Sequence, residues 1–376
     1  MKRKTNLRLV FLLLLLAILG AREVILELRP SFLRPGLHLC AYVGNTADGT
    51  LTVIDLVKLS PVATIPVGAG PSGIRAHPTR AEIWGVSSAG GYAWVLDVKT
   101  NQVVARIPVG SSPYALDFSP DGARAYVAAS GSNSIVAIDC ATRQIVARGR
   151  AGRHPWIARV SPKGKLVVVS NRDDSTVSVL DAASLAPLAA IPVAPQPEQI
   201  AILPDDSKAF ITSGASDQIS VVDLKRKALL ANLALGGRPD DLILKPDGGE
   251  LYIPSSGVHG LLIVNTQTNE VGDFMLLGMS PVAGALDDEG GILYVADAAA
   301  GRVIPIAIPI RSIVNPPGQI SVGQEPRTCR LAPGGDILLV VDTASNDLAV
   351  IRTNPPSLIT LVPAGSLPRD LAVKLF

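Results

Sequence analysis

One proline-led motif recurs along this chain at almost constant spacing, and no other feature limits its fold as strongly. Pro71, Pro113, Pro155, Pro197, Pro239, Pro281, Pro326 and Pro368 each lead a short strand-like run, 42 residues apart except for one interval of 45. A second proline follows seven residues later in most copies, from Pro78 to Pro333. A third marker keeps the same phase: a Val/Ile run ends in Asp55, Asp97, Asp139, Asp181 and Asp223, then in Asn265. Three phase-locked markers define one supersecondary unit repeated along the chain. Such units bury their apolar faces against their neighbours.

The unit reads as four short strands. One copy runs 125–130, 134–139, 144–149 and 156–161. The runs are rich in Val, Ile and Ala, and the links between them carry Gly, Pro, Ser, Asn and Asp. With 34 glycines and 30 prolines, the composition also favours tight turns over long helices. Asp139 stands where a turn uses an acid to accept from its own backbone. Ser119-Pro120-Asp121-Gly122 and Ser161-Pro162-Lys163-Gly164 are Pro-led turns closing on glycine. A lone four-stranded antiparallel sheet leaves both faces exposed, whereas sheets stacked radially cover one another as the blades of a β-propeller.

The repeat resembles the YVTN family of β-propeller repeats. The matching residues are Ala125-Tyr126-Val127, Ser134-Ile135-Val136-Ala137-Ile138-Asp139, Ile107-Pro108-Val109-Gly110 and Ser119-Pro120-Asp121-Gly122, with further copies at Ile65-Pro66-Val67-Gly68 and Ser178-Val179-Leu180-Asp181. The resemblance spans residues 41–376 and implies an all-β propeller; it leaves the function open, because such folds host binding, surface and enzymatic roles.

Eight Pro-led strands give eight four-stranded antiparallel blades. Ala41-Tyr42-Val43 reads as a second strand and Asp370-Leu371-Ala372-Val373 as a first strand, so pairing them closes the ring and removes an open edge. Seven blades is the alternative. The weak copy is the one where Ile304-Pro305-Ile306-Ala307-Ile308-Pro309 departs from the pattern; its prolines place that strand at an edge or a bulge.

Ahead of the repeats, Lys2, Arg3, Lys4 and Arg8 precede an unbroken apolar run from Leu9 to Ala21. That is the charge and hydropathy pattern of an export signal, and the run is short for a spanning helix. Residues 1–21 are therefore expected to be a signal peptide or an uncleaved anchor. Residues 22–40 form a linker and 41–376 the propeller. The location that follows is periplasmic or extracellular, with membrane contact through residues 9–21 if they are retained. Without those four bases the chain holds 30 basic against 32 acidic residues, which argues against nucleic acid as a partner. Cys40, Cys140 and Cys329 show neither metal spacing nor a disulfide framework.

In a propeller the inner strand of each blade begins at one mouth of the central channel. The residue after each Pro then forms a ring there: Ser72, Tyr114, Trp156, Glu198, Asp240, Val282, Arg327 and Arg369. The residue before each Pro adds His154 and Arg238 among others. The first ring is polarised: aromatics on two adjacent blades, acids on the next two and, beyond the Val282 blade, arginines on two more. In a ligand site Tyr114 and Trp156 would stack, Arg327 and Arg369 would hold a carboxylate or phosphate, and Glu198 and Asp240 an amine or hydroxyls. Four residues after Pro lie Arg75, Asp117, Arg159 and Arg330. Their neighbours at the third and fifth positions are mostly apolar, so alternation places them between blades as a structural ion cluster.

The function expected is that of an exported, non-catalytic binding or interaction scaffold of the cell envelope. It would be a monomer that takes a small polar ligand or a protein loop at the upper channel mouth. The alternative is a lactonase-like hydrolase: propeller lactonases look similar across Arg153-His154-Pro155 to Ser161-Pro162, and Glu198 with His154 would supply the acid or base. No metal site or cofactor is expected. A haem is the side option, suggested by exported eight-bladed propellers that hold one through an axial His and several Arg. Here those residues would be His154 with Arg148, Arg150 and Arg153.

Overall fold

A computed structural model describes residues 38–376. The segments read as signal and most of the linker lie outside the described residues.

The repeat folds as eight antiparallel sheets arranged as the blades of a β-propeller. Blade 1 joins Leu39–Asn45, Thr50–Asp55 and Ser60–Pro66 to the last strand, Pro368–Leu375. The strand at Leu39 starts two residues before the expected boundary. Blades 2 to 8 begin with the Pro71, Pro113, Pro155, Pro197, Pro239, Pro281 and Pro326 segments and follow chain order from channel to rim. The closing pair is antiparallel, from Leu39 opposite Leu375 to Asn45 opposite Pro368. Beyond it, His38 and Phe376 exchange two backbone hydrogen bonds of 2.9 and 3.0 Å, and their rings stack. The eight-blade reading holds, and the ring is closed in the expected way.

Second and third strands are buried along almost their whole length because blades cover them on both faces. This explains their unbroken Val/Ile/Ala runs. The fourth strands alternate, with one face turned to water. Large side chains fill the wedges between blades: Trp84, Trp94, Tyr42, Tyr126, Tyr252, Tyr294 and Phe210 are all essentially inaccessible. The turns form as their residues dictate. Asp139 Oδ1 accepts from the N–H groups of Ala141 and Thr142 at 3.0 and 2.7 Å. Asp55, Asp97, Asp181, Asp223 and Asn265 repeat that turn. Gly122 takes a φ of +70° as its N–H donates to Ser119 O at 2.8 Å.

Two blades depart from the plan. In blade 7 the proline-bearing strand, Arg302–Ala307, is the third strand and not an edge. Its outer neighbour is split instead, into Ser312–Ile313 and Ile320–Ser321, with Pro316 and Pro317 in the interval. Pro305 has no N–H to give, so the break falls beside it. In blade 6 the inner strand shrinks to Ile243–Leu244. The Asp240 and Asp241 side chains take over the backbone N–H groups of Ser256, Leu242 and Gly284.

Candidate functional site

A repeated hydrogen bond builds the upper mouth. In seven blades the residue before the inner-strand proline offers its carbonyl to the turn between the second and third strands. The pairs are Thr46–Leu367, Ser88–Gly70, Ser130–Ser112, Arg172–His154, Gly214–Gln196, Ala298–Ser280 and Thr343–Glu325, at 2.7–3.2 Å. In blade 6 the Asp240 carboxylate caps Ser256 N–H instead, at 2.7 Å. Six of these pre-proline residues have positive φ, between 46° and 66°: Gly70, Ser112, His154, Gln196, Glu325 and Leu367. Left-handed backbone is costly for residues other than glycine. Here the carbonyl bond and the proline after it hold the geometry.

Directly after that proline the inner strands bulge. The register slips between Ser72 and Arg75, Pro113 and Ala115, Pro155 and Ala158, Pro197 and Ile200, and Pro326 and Thr328. A bulge breaks strict alternation. The fourth residue after Pro is therefore not sealed between blades as alternation suggested. Arg75, Arg159 and Arg330 line the central channel.

The channel opens as a cavity of about 580 Å³, wetted more by polar than by apolar groups. Its mouth carries Ser72, Tyr114, Asp240, Arg327 and Arg369, all five expected there. The other expected residues are engaged beside it. Tyr114 and Trp156 stack on each other with ring centroids 3.6 Å apart, so they do not offer a free cleft between them. Arg172 lies over Trp156 at 4.8 Å and forms an ion pair with Glu198 at 2.9 Å; Arg238 approaches the other Glu198 oxygen at 3.6 Å. Glu198 is thus already matched by two guanidinium groups, and Asp240 by a backbone amide. Neither acid is free for an amine. His154 leans edge-on against Trp156 and faces Asp173 at 3.3 Å.

The arginines are left. Arg327 is more than half exposed and has Glu325 at 3.8 Å. Arg369, on the next blade, makes no ion pair among the described residues, and its backbone oxygen is held by the Thr328 hydroxyl at 2.8 Å. Burial pushes the Tyr114 phenol up, helped by Asp370 and Glu198, so it stays a neutral donor.

Further down, Asp117, Asp241 and Asp370 stitch neighbouring blades. Asp370 Oδ2 accepts from Ile74 N–H at 2.8 Å, Asp117 Oδ2 from Val160 N–H at 3.0 Å and Asp241 Oδ2 from Gly284 N–H at 3.3 Å. In the expected ion cluster Asp117 makes no ion pair with Arg75 or Arg159 among the described residues, because its carboxylate is turned to the backbone of blade 4. Arg75 pairs instead with Asp370, at 3.8 Å. The set Arg148, Arg150, Arg153 and His154 does not converge either. Arg148 bonds the Val109 carbonyl on the outer strands, and Arg153 is tied to Asp174.

Sequence reasoning missed three residues. Arg172 lies in the turn between the second and third strands of blade 4, outside the rings of residues beside the prolines. Asp241 and Asp370 each stand two residues after an inner-strand proline, a spacing that could have shown them. Among the described residues no group of three or more His, Cys, Asp and Glu lies close enough together to hold a metal ion.

With this geometry in place, comparisons with known proteins can be read. Residues 86–225, from the second strand of blade 2 to just past the third strand of blade 5, match the family described as Cytochrome D1 heme domain. No curated protein sequence matches the chain. Among solved structures, dihydro-heme d1 dehydrogenase NirN in complex with DHE is 16% identical with a TM-score of 0.74, covering 88% of this chain and 74% of its own. Apo AztD from Citrobacter koseri is 14% identical with a TM-score of 0.66, covering 90% and 98%. Hydrazine synthase from Kuenenia stuttgartiensis is 20% identical with a TM-score of 0.61, covering 75% and 95%. At these identities the likeness is one of fold, and it supports a β-propeller family.

Proposed function

We propose that this protein is a non-catalytic binding module of the cell envelope, exported by its N-terminal segment. Its upper channel mouth takes a small or planar anionic ligand. One observation carries the reading: Arg327 and Arg369 stand on adjacent blades at a polar cavity of about 580 Å³ while the neighbouring acids Glu198 and Asp240 are already matched. Two guanidinium forks held by a closed ring lose little entropy when a carboxylate or phosphate docks. The Tyr114 phenol adds a neutral donor and an aromatic edge. The YVTN-like repeat fits this role as a rigid frame with variable loops. Glu198 locked between two arginines favours binding over hydrolysis, since it is not left as a free base.

The family match and the NirN neighbour both carry haem d1 in their descriptions, which makes a haem-type ligand a second candidate for this channel. The donor set tests the fit. No His or Met is among the residues lining the cavity. Cys329 is, but its side chain is buried among apolar residues between blades 7 and 8. His154 is engaged outside the lining. The residues therefore suit the acidic edge of a tetrapyrrole and do not suit axial ligation of its iron.

The test is a titration of purified protein with mesoporphyrin, a metal-free tetrapyrrole dicarboxylate, and with its dimethyl ester. Binding of the acid that falls at least about tenfold in Arg327→Ala/Arg369→Ala supports the reading. Equal binding of acid and ester, or of wild type and variant, removes it.

A further inference from the structure

Below the mouth the channel narrows to a waist where Arg75 and Arg330 line both the upper cavity and a second, lower one of about 310 Å³. Arg159 joins them from blade 4. Elsewhere in the ring arginines find carboxylates: Arg143 meets Glu82, Arg302 meets Asp297 and Arg311 meets Glu250. Among the described residues, the Arg159 and Arg330 side chains make no hydrogen bond and no ion pair. Arg159 is half-buried and Arg330 is exposed to the channel solvent.

The acids nearby do not answer them: Asp288 lines the lower cavity with Arg330 but pairs with no arginine among the described residues. Asp370 spends one oxygen on Ile74 N–H and the other on its own strand, at Leu371 N–H. Asp241 likewise divides its oxygens between Leu242 and Gly284, and burial pushes it toward the neutral form. Asp117 is held by Val160 N–H. The guanidinium groups meanwhile repel one another: Arg75, ahead of burial, brings Arg330 down to about 10, and burial followed by Arg75 lowers Arg159. Uncompensated charge in a confined channel is costly, and water supplies acceptors without charge.

We propose that this waist is a binding site for a tetrahedral oxyanion such as inorganic phosphate, held between Arg75, Arg159 and Arg330 and separate from the mouth. Three planar forks approaching from blades 2, 4 and 8 can each meet different oxygens of one tetrahedral anion. The anion neutralises the repulsion at the same time. It has two routes in, through the upper cavity or the lower one. This inference does not depend on the ligand proposed for the mouth, although an acidic arm of such a ligand reaching down would present similar chemistry.

The experiment separates those sources. Full-length protein in a phosphate- and sulfate-free buffer at low ionic strength is titrated with inorganic phosphate by calorimetry and by thermal melting. Wild type should bind phosphate and melt higher with it, and the mouth variant Arg327→Ala/Arg369→Ala should keep a phosphate site and still melt higher with phosphate. Arg159→Gln and Arg330→Gln should each weaken binding at least about tenfold. Without phosphate, Arg330→Gln should melt no lower than wild type, because it loses a repulsion and no partner. Four results would each overturn the proposal: no phosphate binding by wild type, undiminished binding by the waist variants, loss confined to the mouth variant, or an Arg330→Gln protein that melts well below wild type in phosphate-free buffer.

Discussion

Blade 8 carries two carboxylates face to face, and removing one should change how stability depends on pH. Asp342 ends the second strand and pairs directly with Asp347, which starts the third. The same place holds Asn45 bonded to Thr50 in blade 1, Asn171 bonded to Thr176 in blade 4 and an Asp297–Arg302 ion pair in blade 7. Asp342 is fully buried, and one oxygen of each blade 8 acid has no partner. Burial first, and Asp347 next, push Asp342 up to about 8, against the lowering effect of Gly323 N–H. A folded-state value above the unfolded one of about 4 means the native state holds the proton more tightly. No penalty therefore exists below about pH 4. Stability falls as pH rises from there to about 8, and the loss is then complete. Four units correspond to on the order of 5 kcal/mol across that window.

Asp347→Asn removes the facing charge and supplies an N–H donor for the unpaired Asp342 oxygen, while the burial cost stays. The gain should be about 1–3 kcal/mol at pH 9 and near zero at pH 4. Urea unfolding of both proteins at pH 4, 6.5 and 9 measures it. Parallel pH profiles for variant and wild type would refute the reasoning, because they would show that Asp347 does not set the protonation of Asp342.

Other expectations concern the frame. Gly122→Ala forces a Cβ into a residue at φ +70°, and that atom would meet His77 Cε1 at 2.8 Å, so a loss of about 1–2 kcal/mol is expected in chemical denaturation. Asp370→Ala deletes the acceptor for Ile74 N–H and the partner of Arg75, both on blade 2. It should cost about 1–3 kcal/mol, and hydrogen exchange should rise first at Ile74. An unchanged exchange rate there would show that the carboxylate does not join these blades.

The frame was legible because the interactions that make it are local and repeat. Prolines, strand-end acids and Pro-led glycine turns each act within a few residues, so their 42-residue phase carried through to the folded ring. What escaped was set between blades. The bulge after each inner-strand proline has no fixed residue type, and it re-aimed Arg75, Arg159 and Arg330 from the blade interface into the channel. The left-handed residue before that proline is Gly70 in one copy and His154 or Leu367 in others, so its identity gives no signal. Position in the repeat brought Tyr114, Asp240, Arg327 and Arg369 to the mouth. Their partners could not be read, since Arg172, which takes Glu198, comes from a turn with its own spacing. The proline in Arg302–Ala307 was read by a rule about edges, yet the chain kept that strand inside and broke its neighbour.

The meeting of His38 and Phe376 has a topological consequence. Two backbone bonds already join the ends of the described chain, so a short peptide could link them without moving a blade. Opening the ring between any other two blades would then yield a circular permutant with the same contacts. Each blade would keep its neighbours, and the strand closing the ring would come from whichever blade had been cut. For this ring the order of the blades is fixed, while the place where the chain starts is a matter of connection alone.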